Sequence, residues 1–133
     1  MREIKFRGLS TVSGEWIYGD LIQRTTDFIF PAGVYTTKIY EYLVEIRPET
    51  KGQYTGLKDK NGTEIYEGDI VQGGILRMTG GVEMNNERTN VHFKSGMFKC
   101  GRTSLNSFSD RTEVVGNIYE NPELLQEVDL SEL

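Results

Sequence analysis

His92 and Cys100 are the sole imidazole and the sole thiol of this chain. A Cys-His nucleophile pair requires both side chains within hydrogen-bond reach. The segment that carries them, NVHFKSGMFKCG (90–101), is also the cleanest hairpin signal present. With Ser95-Gly96 as a two-residue turn, Phe93 falls opposite Phe98, Val91 opposite Cys100, and His92 opposite Lys99. Side chains alternate between the faces of a strand pair. This register sends Cys100 to the Phe93/Phe98 face and His92 to the other, so the pair does not assemble. Cys100 is expected as a buried, apolar-like residue and His92 as a surface strand residue. One His and one Cys also fall short of a zinc ligand set. A lone thiol makes no internal disulfide, so folding does not depend on oxidation.

The next candidate is TGLKDKNGTEIYEGDIV (55–71). Its DKNG looks like part of a calcium loop, which needs oxygen ligands at alternate early positions, Gly at the sixth and an acid at the twelfth. With Gly62 as the sixth residue, Leu57 and Gly68 fall on ligand positions. With Asp59 as the first, Glu64 stands where Gly is needed and Ile70 is the twelfth. Both registers fail. Gly56 and Gly62 are separated by five residues, where a phosphate-binding P-loop has four, and no Lys precedes Thr63. The chain's 20 acids show no spacing that singles out a catalytic pair. No catalytic, cofactor-binding or metal-ligating residue is therefore expected. The stretch reads instead as a corner: Asn61-Gly62 turns the chain, and Gly68-Asp69 bends it so that Ile70 and Val71 begin a new strand. Asp69 is expected to accept backbone N–H bonds in that bend. Trp16, Tyr54 and Tyr66, with Lys58 and Lys60 nearby, form a candidate interaction surface. Packing inside the sheets is the competing use of those rings.

Around these candidates, residues 4–9 and 15–23 read as a hairpin, and TVSG accommodates either a two- or a four-residue loop. DFIFPAG is a short strand stopped by Pro31 and Gly33. IYEYLVEI (39–46) alternates as a strand, with Tyr40, Tyr42, Val44 and Ile46 on one face. Residues 53–57 form another short strand. Residues 72–90 are Gly- and Asn-rich and read as a long hairpin or loop, and RTSLNSFSDRT (102–112) as a polar loop. EVVGNIY is the last strand, and NPELLQEV a short helix with Asn121 as its cap. Many short strands between close turns define a mainly β chain, a small barrel or roll. The expected organisation is an N-terminal β-strand subdomain over 1–50, a barrel over 51–119, and a short helix with an acidic tail over 120–133.

At 133 residues the chain is one domain's length. From Glu113 onward it holds six acids and no Lys or Arg, whereas the preceding residues hold 15 bases and 14 acids. The body is nearly neutral and no Lys/Arg block marks a phosphate-tracking face, which disfavours nucleic acid. No apolar run is long enough for a membrane span, and MREIKFRGLS lacks a signal-peptide core. A reducing cytoplasm is the expected compartment.

MREIKFRG, GQYTGLKDKNGTEIYEGDIV and VVGNIYENPELL together resemble the YopX family of phage and prophage proteins. The three motifs lie in family order and bracket residues 1–125. The resemblance implies a phage or prophage origin, a bacterial host cytoplasm, and a β-rich fold with an SH3-like barrel from about Thr55 to Tyr119. It carries no established activity, hence no functional residue to transfer. The function expected is a non-catalytic protein-binding adaptor for a host or phage protein, with no cofactor. A nucleic-acid-binding module is the first alternative and an enzyme using unrecognised carboxylates the second. Self-association through sheet edges is also compatible with the sequence.

Overall fold

Alternating apolar and polar residues fold most of this chain into antiparallel strands joined by tight turns. The structure is a computed structural model that describes residues 3–73, 75–77, 83–85, 88–101 and 103–125. It comprises two compact units, Met1–Tyr54 and Thr55–Leu133.

In the first unit, β1 (Phe6–Leu9) and β2 (Trp16–Gln23) form the N-terminal hairpin, with Phe6 opposite Gly19 and Leu9 opposite Trp16. Ser10 N donates to Glu15 O at 2.9 Å and closes the four-residue loop Thr11–Gly14. The longer of the two expected loops forms because Ser10 Oγ accepts from Val12 N and Ser13 N, each at 3.1 Å. β3 (Asp27–Pro31) lies beside β2, and β4 (Val44–Glu45) beside β3. The start of β5 (Gly52–Lys58) pairs with β1, giving the order β4-β3-β2-β1-β5 in this unit. Leu9, Ile29 and Ile46 are buried. Ile46 packs directly onto the bare backbone of Gly8.

The strand expected over 39–46 is shorter than its alternation suggests. Ile39–Tyr42 is one turn of helix, α1, and only Val44–Glu45 pairs. Asp27 O accepts from Ile46 N at 3.0 Å, so Asp27, Ile29 and Pro31 turn their backbone polar groups towards β4. Continuing the register of Phe28 opposite Glu45 and Ile29 opposite Val44 would set Tyr42 against Pro31. Proline has no N–H to give the ladder, and pairing stops there.

In the second unit the remainder of β5 pairs with β6 (Glu64–Tyr66). β7 (Asp69–Gln72) follows; β8 (Ile75–Arg77) and β9 (Glu83–Asn85) form a separate antiparallel pair. β10 (Arg88–Lys94), β11 (Met97–Cys100), β12 (Thr103–Ser104) and β13 (Glu113–Asn117) complete an antiparallel sheet in the order β12-β11-β10-β7-β13. The fold is mainly β as expected, but among the described residues no sheet closes: this one is linear in order and ends at β12 and β13. β12 is only two residues long before the chain turns into a helical turn, α2 (Leu105–Phe108), inside the stretch expected as polar loop. Leu105 anchors it in the core with Ile65, Val71, Val91 and Cys100, and Leu57, Phe98 and Val114 pack around them. The expected 72–90 segment is described only at β8, β9 and its ends. The expected C-terminal helix begins as a 3-10 turn, Pro122–Leu125, and residues 126–133 lie outside the described residues.

Gly68 makes the corner between β6 and β7. Its φ is +90°, and a Cβ there would stand 2.9 Å from Tyr119 Cε2. Its N donates to Val91 O and its O accepts from Ile118 N, both at 2.9 Å, so the backbone is held from both sides. Gly68→Val is expected to destabilise the protein by more than about 1 kcal/mol, through strain and collision together. Urea unfolding measures this; an unchanged midpoint would show that the corner relaxes without cost.

Candidate interaction surface

The motif at 55–71 is built around a buried carboxylate. Asp59 is 6% exposed. Its Oδ1 accepts from Asn61 N at 2.8 Å and Thr63 N at 2.9 Å; its Oδ2 accepts from Val114 N at 2.9 Å. Asp59 N donates to Thr63 O at 2.9 Å and Gly62 N to Asp59 O at 3.0 Å, closing the three-residue loop Lys60–Gly62. Gly62 takes φ +83° whereas Asn61 does not cross to positive φ. The turn is thus the three-residue kind that ends in a left-handed glycine, rather than a two-residue Asn-Gly turn. Asp69 sits in the next bend, where its Oδ2 accepts from Tyr66 N at 2.7 Å. Asp59 was not singled out by the sequence, although an acid two residues before Asn-Gly is a known turn stabiliser.

The five residues of the expected surface divide between interior and exterior. Trp16 and Tyr54 belong to the first unit; Lys58, Lys60 and Tyr66 belong to the second. Tyr54 is 5% exposed and Tyr66 2%, so both rings are packing elements with no face open for stacking. Lys5 Nζ lies 5.0 Å from the Tyr54 ring centre. Trp16 is half-buried, and the Arg7 guanidinium lies over its ring at 4.3 Å. Lys58 and Lys60 are exposed.

His92 and Cys100 stand as the hairpin register requires. Ser95 and Gly96 take φ +56° and +79°, with Val91 opposite Cys100 and His92 opposite Lys99. Cys100 is fully buried, and burial raises its thiol pKa against the opposing Thr103 hydrogen bond. Among the described residues, no group of three His, Cys, Asp or Glu is placed to hold a metal.

The first unit carries an apolar cleft of about 550 Å³. Its floor is the cross-strand pair Ile22 and Phe28, and its wall is Ile39, Tyr40 and Leu43 from α1 and the residue after it. Arg24, on the β2–β3 turn, is its one charged lining residue, beside Thr25. Tyr40 is 79% exposed, and Ile39 and Tyr42 are also open to solvent. The sequence reading missed this cleft because it drew 39–46 as a strand, which would lay the same residues flat. The signal present was the density of Tyr in a polar context at 35–42.

These features define a two-unit, mainly antiparallel β protein whose first unit carries an apolar cleft built by a helical turn against a hairpin. The chain belongs to the YopX family (YopX protein), which matches residues 5–126. It is similar to the crystal structure of protein EF1440 from Enterococcus faecalis, at 27% identity and a TM-score of 0.53, over 94% of this chain and 99% of that one. No curated protein matches it.

Two outcomes are expected of the interior groups. Asp59→Ala removes the acceptor of three backbone N–H groups, those of exposed Asn61 and Thr63 and of half-buried Val114, and should cost about 2–3 kcal/mol, while Asp59→Asn keeps one oxygen and should cost less. Urea midpoints of the two variants test that order. Cys100 should react with a disulfide reagent at pH 8 on the order of a hundredfold more slowly in the native protein than in urea, because burial withholds both access and thiolate. Equal rates would place the thiol at the surface.

Proposed function

We propose that this protein is a small, non-catalytic adaptor of phage or prophage origin that binds a host or phage protein in the bacterial cytoplasm. The observation that carries the reading is the cleft over Ile22 and Phe28. Monomeric proteins seldom leave aromatic and aliphatic groups this open unless a partner covers them. Tyr is also enriched where proteins meet. The ligand that suits it is a peptide segment with an apolar anchor, seated between α1 and the hairpin. The family match supports the phage origin. No helix among the described residues is long and apolar enough to cross a membrane. The second unit, in this reading, is an SH3-like roll left open at β12 and β13; its five antiparallel strands and short turns support that assignment.

The test is capture from the lysate of a phage-carrying host, with the tag at the C-terminus and with nuclease digestion and a high-salt wash. The native protein should retain one protein at a fixed ratio. The exposed double variant Ile39→Ser/Tyr40→Ser should lose about tenfold or more of it, as truncation of an anchoring side chain does. Equal capture by the variant, or nucleic acid as the sole bound material, would show that the cleft is not the docking site.

A further inference from the structure

The positive charges of this chain are unevenly placed. Residues 88–109 hold four Lys or Arg and no Asp or Glu, while the remaining residues hold 11 bases and 20 acids. Strand pairing concentrates the charge further. Arg88, His92 and Lys94 occupy alternate positions of β10, and Lys99 of β11 stands opposite His92. Alternate residues and directly opposed residues share a face, so these four groups line one side of the sheet.

That row has a closed end and an open end. Arg88 Nε donates to Gln72 Oε1 at 3.2 Å, and Glu113 stands opposite Gln72 on the far side, so this end is balanced. At the other end, Lys94 is exposed and Met97 beside it is 42% exposed. Among the described residues no acid pairs with Lys94 or Lys99. His92, half-buried, has its Nδ1 3.4 Å from Asn90 O. On the opposite face of the same hairpin end, Phe93 is 55% exposed and meets Phe98 edge-on at 5.1 Å between ring centres.

We infer that the end of the β10–β11 hairpin is a binding site for single-stranded nucleic acid. Lys94 and Lys99 neutralise backbone phosphates on one face, and Phe93, on the opposite face of the same hairpin end, offers a ring on which a base stacks. An acidic protein segment would satisfy the lysines equally well but makes no use of the exposed ring. Cationic groups that hold phosphates together with an open aromatic on which a base stacks are the combination that sequence-tolerant single-strand binding uses, and here a strand passing over the hairpin end would meet the lysines on one face and the ring on the other. The surface consists of second-unit residues alone and is independent of the apolar cleft of the first unit. It also differs from the lysines expected from sequence, since the rings near Lys58 and Lys60 are buried.

The experiment measures fluorescence anisotropy of a labelled oligothymidylate of roughly twenty nucleotides with the full chain, over about 25–200 mM salt. Binding should weaken as salt rises. Lys94→Gln/Lys99→Gln should reduce the slope of log K against log salt by about 1.4, near 0.7 for each single-strand phosphate that is no longer neutralised. Phe93→Ser should weaken binding roughly tenfold and leave the slope unchanged, the signature of a missing stack. Thermal melts of both variants confirm that these exposed substitutions preserve the fold. Three results would overturn the inference: no binding at the lowest salt, an unaltered slope in the double lysine variant, or polyglutamate binding as tightly as the oligonucleotide and unaffected by Phe93→Ser. The last result would assign the surface to an acidic protein segment.

Discussion

The carboxylate of Asp59 is the constraint on which the second unit depends. A buried ionised group is costly unless its oxygens are filled with donors, and here they accept three backbone N–H bonds. Two come from its own turn and one from Val114, 55 residues further along the chain. Lys60 N adds a bond to Thr112 O at 2.9 Å beside it. Together these bonds decide where β13 begins. β13 can then run along β7, and Val114 can pack on the core cluster. One bond from this side chain to Val114 N, with Lys60 N on Thr112 O beside it, therefore ties the start of β13 to a turn that the other two bonds hold in shape.

Close backbone approach does the rest of the positioning. Val115 is an extra residue in β13, because Val114 faces Val71 and Gly116 faces Ile70. The bulge brings Gly116 so near Asn121 that a Cβ would meet its Oδ1 at 2.6 Å. Asn121 Oδ1 in turn accepts from Asn117 N at 3.2 Å, and Asn117 Oδ1 accepts from Tyr119 N and Glu120 N. The first unit uses a hydroxyl for the same purpose. Thr50 Oγ1 accepts from Leu9 N at 3.0 Å and donates to Arg47 O at 2.6 Å, and so fixes the chain entering β5 against β1. Lys51 reaches back to Asp27 at 2.9 Å across the same unit.

What these interior bonds leave outside is chemically uneven. In the first unit the exposed surface around α1 is rich in Tyr, with Arg24, Lys38 and Glu41 as its charged groups. In the second, the end of the β10–β11 hairpin is cationic with one open ring. Both surfaces come from side chains that the backbone ladder places without needing them for the core, which leaves them available for partners. The thiol is inside, and the imidazole stands on the other face of the hairpin, within the cationic row.

Much of this architecture is present in local sequence. The Ser95-Gly96 hairpin, its cross-strand pairs, the bend at Gly68-Asp69 and the mainly β character all follow from turn chemistry and alternation over a few residues. So does the family, through three motifs in order. The failure of the barrel to close, the helical turn at 39–42, the burial of Tyr54 and Tyr66, the anchoring by Leu105 and the role of Asp59 do not. Each depends on what the other side of the sheet supplies: Pro31 withholding an N–H from Tyr42, Val114 arriving at Asp59, a core waiting for Leu105 within a polar run. The cationic row is the clearest case. Its bases are separated in the chain by Val, Phe and turn residues, so no block of charge can be read there. Pairing of β10 with β11 brings them onto one face, because side chains that alternate along a strand become neighbours only when a second strand fixes the register.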